Sequence, residues 1–200
     1  MTYFSGFVIA GGKSSRMKTD KAFLKFGGKT FLENAIDALK PNCTQIKVVL
    51  NKHQKHFVEK LPDDISHIFD IYENRGALGG IHAALMDCKT EYAIILAVDL
   101  PLIKKFIIAE LCRISLDSKE FIATVPRQTD GRFQPLCAVY HARYCLLTLE
   151  KLMNENDSAS VRDFLEIISP QFVDQNRLTT NKPNNIFFNV NNQVDFQQLK

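Results

Sequence analysis

Short apolar runs alternate with stretches of helical period along this 200-residue chain. Residues 4–10 form the first run and predict a buried strand. Thr30, with Glu33 three positions on, carries the signature of a capping box. Leu32, Ala35, Ile36 and Leu39 then share one face, so a helix is predicted up to Pro41. Residues 45–51 are β-branched and aliphatic and predict a second strand, and residues 65–70 a short third one. Residues 76–80 open a helix that reaches about residue 87. Residues 92–98 are almost continuously apolar, as a central parallel strand buried on both faces must be. Ile103, Phe106, Ile107, Leu111 and Ile114 place another helix after Asp99-Leu100-Pro101, and residues 121–125 read as a further strand. The pattern then changes. Residues 127–132 are polar and turn-like, 136–140 predict a strand, 142–153 a helix, and 161–168 a short helix capped by Ser160. A linker at 181–185, a last strand at 186–190 and a C-terminal helix complete the series.

This β-α alternation implies an α/β fold, a three-layer α/β/α sandwich around a Rossmann-like, mostly parallel sheet. The expected organisation is one domain over residues 1–200, with a nucleotide-binding half at 1–126 and an acceptor-binding half at 127–200 laid onto the same sheet. In such sheets ligands bind beyond the carboxyl ends of the strands, and special residues fall there repeatedly: Ala10-Gly11-Gly12, Asn51, Asp70 and Asp99. The glycines let backbone approach a ligand closely, and their N–H groups with nearby cations suit a phosphate chain. Residues 1–32 carry six cations, including Lys13, Arg16 and Lys21, against Asp20 alone, although the whole chain has a net charge of only +3. That asymmetry suits a phosphorylated small molecule; the low total argues against a general nucleic-acid role. Asp99, directly after the most apolar strand, is placed to bind Mg²⁺ that substrate phosphates also hold. Its competing reading is a helix N-cap ahead of Pro101. Asn51 and Asp70 taken singly read equally well as turn and loop residues.

Two tempting motifs fail. Gly28-Lys29-Thr30 resembles the end of a P-loop, but Phe23 stands where its first glycine belongs. His53 and His56 have no Cys or acidic partner at metal-ligand spacing and read as surface histidines. With 46% hydrophobic and 24% charged residues the composition is that of a soluble globular protein, and no apolar stretch approaches the roughly 20 residues of a membrane helix. The five cysteines, odd in number and without a CxxC, read as thiols in a reducing compartment. The N-terminal residues carry no secretory pattern. The expected location is the cytoplasm, with no membrane partner.

The segment Ile9-Ala10-Gly11-Gly12-x3-Arg16-Met17-x2-Asp20-Lys21 resembles the opening motif of the molybdenum cofactor guanylyltransferases of the MobA type, within the GT-A-like nucleotidyltransferases. The likeness continues in order through Asn51-Lys52-His53-Gln54, Asp70, Gly76-Ala77-Leu78-Gly79-Gly80, Asp99-Leu100-Pro101, Gln134-Pro135-Leu136 and Asn189-Val190-Asn191-Asn192. It implies a sheet of the nucleotide-diphospho-sugar transferase type. It also implies a Mg²⁺-dependent reaction in which GTP and molybdopterin give the guanine dinucleotide form of the cofactor and pyrophosphate. By position, Ile9, Ala10, Gly11 and Gly12 would contact the nucleotide through backbone groups, Arg16 and Lys21 would hold phosphates, and Asn51 and Asp70 would help fix the guanosine. Asp99 would bind the metal, and Gln134, Pro135, Asn189 and Asn191 would line the acceptor side. Transient contact with proteins that deliver or accept the cofactor is a further expectation, one that no residue of the sequence carries.

The chain departs from the family in three places: Lys18 replaces a glycine, Ala77 a proline and Val98 a common cysteine. None removes a charged group, but Ala77 lies in the loop near the nucleotide. The competing readings are a cytidylyltransferase of the same fold and a non-catalytic nucleotide or cofactor carrier. Sugar-phosphate nucleotidyltransferases fit less well, because their loop uses Pro-Lys where this chain has Asp20-Lys21.

Overall fold

The structure, a computed structural model, describes residues 4–11, 20–72, 74–179 and 185–199. The readings made for Gly12, Lys13, Arg16, Met17 and Lys18 therefore lie outside the described residues. In chain order the elements are β1 (Phe4–Ile9), β2 (Lys25–Phe26), β3 (Lys29–Thr30), α1 (Phe31–Leu39), β4 (Cys43–Leu50), β5 (Ser66–Phe69), α2 (Ala77–Asp87), β6 (Tyr92–Ala97), α3 (Lys105–Asp117), β7 (Ala123–Arg127), β8 (Cys137–His141), α4 (Ala142–Glu155), α5 (Val161–Ile168), β9 (Gln171–Asp174) and α6 (Gln193–Leu199). A longer 3₁₀ segment, Lys52–Lys60, follows β4.

Seven strands form one sheet in the order β5-β4-β1-β6-β8-β7-β9, and β2 and β3 pair as a separate hairpin. Every neighbouring pair in the large sheet is parallel except the two made by β8, which runs against β6 and β7. The sheet is thus mostly parallel, as the β-α alternation requires. Its central strands β1 and β6 are buried at every position. Side chains alternate between two faces. Phe4, Val8, Ile94, Leu96 and Val139 pack with Ile36 of α1, Leu111 of α3 and Phe196 of α6. Phe7, Ile9, Ile95, Ala138 and Tyr140 pack with Ile81 of α2, Leu149 of α4 and Phe164 of α5. Helices on both faces make the three layers.

The local signals work as their chemistry demands. Thr30 Oγ1 accepts the Glu33 N–H, and the Glu33 carboxylate accepts the Thr30 N–H, so the predicted capping box starts α1. Ser160 and Asp163 do the same for α5. All five cysteines are free thiols. No helix among the described residues is long and apolar enough to cross a membrane.

One expectation and one competing reading need correction. The run at 186–190 is not a strand. Ile186, Phe187 and Val190 are buried, but β6 already has β1 and β8 on its two edges, and among the described residues one backbone bond, Val190 N–H to Asp99 O at 3.0 Å, ties the segment to the strand end. Asp99 is not a helix cap either, because α3 begins only at Lys105 with Lys104 at its N-cap.

Candidate functional site

The parallel strands end together, and each hands one special group to the same edge of the sheet. β1 runs into Ala10-Gly11, β4 into Asn51, β5 into Asp70, and β6 into Val98-Asp99. Backbone bonds hold these ends in line: Ala10 N–H to Val49 O at 3.1 Å, Asp70 N–H to Leu50 O at 2.7 Å and Val98 N–H to Ile9 O at 3.1 Å. Because β8 is reversed, its leading residues, Gln134, Pro135 and Leu136, arrive at this edge too, and Leu136 O accepts the Ala97 N–H at 2.6 Å. Two cavities open there. One, of about 340 Å³, is lined by Asp20, Lys21, Asp99, Gln134, Pro135, Asn189 and Asn191. The other, of about 400 Å³, is lined by Asn51, Asp70, Tyr72, Asn74, Gly76 and Gly80. They meet at Ile9, Gly11 and Leu136, which line both.

In the first cavity Lys21 Nζ donates to Asn191 Oδ1 at 3.1 Å and stands 3.7 Å from Asp99 Oδ2. The Asp99 side chain is only 21% exposed, and its Oδ1 is fully covered with no hydrogen-bond partner among the described residues. Burial raises the Asp99 pKa above the ordinary carboxylate value, while the Lys21 ammonium and the Asn189 amide beside it pull the other way. Among the described residues lining this cavity there are two carboxylates and one cation, Lys21. No group of three or more His, Cys, Asp or Glu among the described residues could hold a metal ion by itself. The bare Asp99 oxygen is nevertheless a hard donor of the kind Mg²⁺ takes, and Mg²⁺ commonly fills its remaining positions with phosphate oxygens and water. The residues present therefore fit that ion.

In the second cavity Asp70 Oδ1 accepts the Tyr72 N–H at 2.8 Å, and its carboxylate lies against Gly79 in the first turn of α2, where a Cβ would collide with it. A helix N-terminus favours that charge. Burial raises the Asp70 pKa, against the Tyr72 bond and the nearby His82 and Lys52. Asn51 caps the 3₁₀ segment, with Oδ1 accepting the His53 N–H at 2.9 Å. It is thus both a turn residue and a lining residue. His56 is a surface histidine, as expected, and its Nε2 lies 3.2 Å from Asp20 Oδ2.

The structure thus brings Lys21, Asp99, Asn189 and Asn191 into one cluster with Gln134 and Pro135, and keeps Asn51 and Asp70 on the far side of Ile9 and Gly11. Gly12 and Arg16 lie outside the described residues. Gln54 carries more than its sequence position revealed. It is 8% exposed, its Nε2 donates to Ala10 O at 2.9 Å, and its Oε1 accepts the Asn51 N–H at 3.0 Å. One amide therefore joins the end of β1 to the end of β4. A capping box ending in Gln was the signal available, but that pattern cannot show the second bond to Ala10. Gln54→Leu keeps the volume and strands both partners, so chemical denaturation is expected to show a loss of about 2–4 kcal/mol. A loss below about 0.5 kcal/mol would show that the two strand ends hold without it.

The sequence model of the MobA-like NTP transferase domain matches residues 6–173. A probable molybdenum cofactor guanylyltransferase of Flavobacterium johnsoniae is 32% identical over 175 residues, 86% of each chain. One of Clostridium perfringens is 31% identical and aligned over 98% of this chain and 95% of its own. The crystal structure of molybdopterin-guanine dinucleotide biosynthesis protein A from Archaeoglobus fulgidus superposes with a TM-score of 0.80 at 22% identity, over 98% of this chain and 96% of that one. A strand-end site with this sheet order, matched along nearly its whole length, leaves one conclusion: the chain belongs to the family of MobA-like NTP transferase domains, a family of nucleotidyltransferases.

Proposed function

We propose that this protein transfers GMP from GTP to molybdopterin, forming the guanine dinucleotide and releasing pyrophosphate. The observation that carries the reading is the junction of two chemically different cavities at Ile9, Gly11 and Leu136. The Asp70 side suits the nucleoside. An ionised carboxylate only accepts hydrogen bonds, and guanine presents two N–H donors, N1–H and N2–H, on one edge. The Lys21–Asp99 side suits the phosphates. The names of the relatives supply the acceptor.

The backbone of Ile9, Ala10, Gly11 and Gly12 lies along the nucleotide, with Arg16 and Lys21 neutralising its phosphates and Asn51 beside the nucleoside. Gln134 and Pro135 line the acceptor side. Asn191 holds the Lys21 ammonium and Asn189 attends Asp99, so these two serve the phosphate centre as well as the acceptor side. An oxygen of the acceptor phosphate attacks the α-phosphorus. The bond from that phosphorus to the oxygen bridging to the β-phosphate breaks, and pyrophosphate leaves with its electron pair. Alignment of the two anions supplies much of the acceleration. Mg²⁺ held on Asp99 would supply charge neutralisation at the phosphates.

Calorimetric titration with GTP, CTP, ATP and UTP, each with Mg²⁺, followed by assay of pyrophosphate release with molybdopterin, tests the proposal. Preferential binding of GTP and pyrophosphate release that requires the acceptor are expected. Preference for CTP would replace the guanylyl assignment with a cytidylyl one, and absence of nucleotide binding would overturn the reading altogether.

A further inference from the structure

Asp70, Tyr72, Asn74 and Gly76, on the stretch between β5 and α2, all line the second cavity. Asn74 has φ 65° and Gly76 φ 54°, a region that asparagine and glycine enter readily and other residues avoid. Arg75, between them, is absent from the lining and points the other way. Its guanidinium reaches the C-terminal end of α4: Nη2 donates to Met153 O at 3.0 Å and to Asp157 Oδ1 at 2.9 Å, and Nη1 donates to Asn156 O at 3.1 Å and to Asp157 O. The side chain is only 14% exposed. The last carbonyls of a helix have no partners within it and carry the negative end of its dipole, so a planar cation with five donors suits them.

We infer that Arg75 is a positioning residue for the nucleoside: by seating the end of α4, it holds the stretch between β5 and α2 in the shape that presents Asp70 and Tyr72 to the base. This rests on the proposed nucleotide function. It adds that affinity for the nucleoside depends on a helix from the acceptor-binding half of the chain that does not line the cavity. Removing the clamp releases that stretch without touching Lys21, Asp99 or the acceptor side, so the cost falls on nucleotide binding alone. A role confined to stability would lower the melting temperature and leave the Michaelis constants where they were.

The test is steady-state kinetics with GTP and molybdopterin varied separately, with GTP titrations and melting curves, on Arg75→Met, Arg75→Lys and Asp157→Ala. Arg75→Met is expected to raise the GTP KM and Kd about 10-fold, since small misplacements of binding groups are costly, with kcat and the acceptor KM within about 2-fold. Arg75→Lys restores part of the loss, because an ammonium keeps the charge but not the fork; it also serves as the readout if the Met variant does not fold. Asp157→Ala leaves the backbone acceptors in place and stays near wild type. If the wild type binds GTP and both Arg75 variants bind it equally well, or if kcat falls as much as affinity, the inference fails while the proposed function stands. If the wild type binds no nucleotide, both fail together.

Discussion

Asp99→Asn is expected to lower kcat by at least about 10³-fold while raising the melting temperature of the ligand-free protein. Both effects have one cause. The carboxylate is largely withdrawn from water, with Oδ1 unpartnered among the described residues, a poor arrangement for a resting protein and a useful one for binding a cation. Asparagine keeps the shape and removes the buried charge, so a rise of ~2–4 °C is expected if about 1 kcal/mol is relieved. The pH dependence follows from the raised pKa. The native state binds a proton that the unfolded chain releases, so the contribution of this group to stability is fully present below the unfolded carboxylate value of about 4. It is lost as the pH rises through the raised native value. The gain from Asp99→Asn therefore grows toward neutral pH and vanishes in acid. Melting curves at several pH values, with calorimetry of Mg²⁺-dependent GTP binding, read stability and ion binding independently of turnover. Near-normal turnover of Asp99→Asn would remove the residue from the phosphate centre.

Lys21→Ala should lower kcat/KM for GTP by about 10²–10³-fold, with both weaker binding and slower turnover. Lys21 joins three parts of the site: it sits on the 3₁₀ turn Lys21–Phe23, 3.7 Å from Asp99 and hydrogen-bonded to Asn191. Without the ammonium, Asp99 loses the neighbouring charge that opposes its burial, so its pKa moves further up. The acid limb of the pH–rate profile should shift toward higher pH in Lys21→Ala. An unshifted limb would separate Lys21 from Asp99, and an unchanged rate would return Lys21 to the solvated surface.

The strands most easily read in the sequence were those with the least freedom. β1 and β6 are buried on both faces and show it as unbroken apolar runs, and the residues just past them, Gly11 and Asp99, were legible for the same reason. β9 was missed: its four residues, Gln-Phe-Val-Asp, bury only Val173 and carry no run long enough to read. The segment 186–190 misled because apolarity reports burial, and both edges of β6 were already taken. The carboxylates and Lys21 could be read as candidates, because charge next to an apolar run is conspicuous. What joins them could not: the Gln54 bridge spans 44 residues and the Lys21–Asn191 bond 170, distances over which no local pattern operates.

The position of β1 has a consequence during synthesis. It is made before both its partners, β4 on one side and, on the other, β6, which ends at Ala97. At ribosomal rates of roughly 5–20 residues per second, its second partner arrives on the order of 5–20 s later. Through that interval an apolar strand that ends up at the centre of the sheet has an open edge. An unpaired apolar edge is a template for pairing with other chains, so the order of synthesis sets the interval in which such pairing competes with folding.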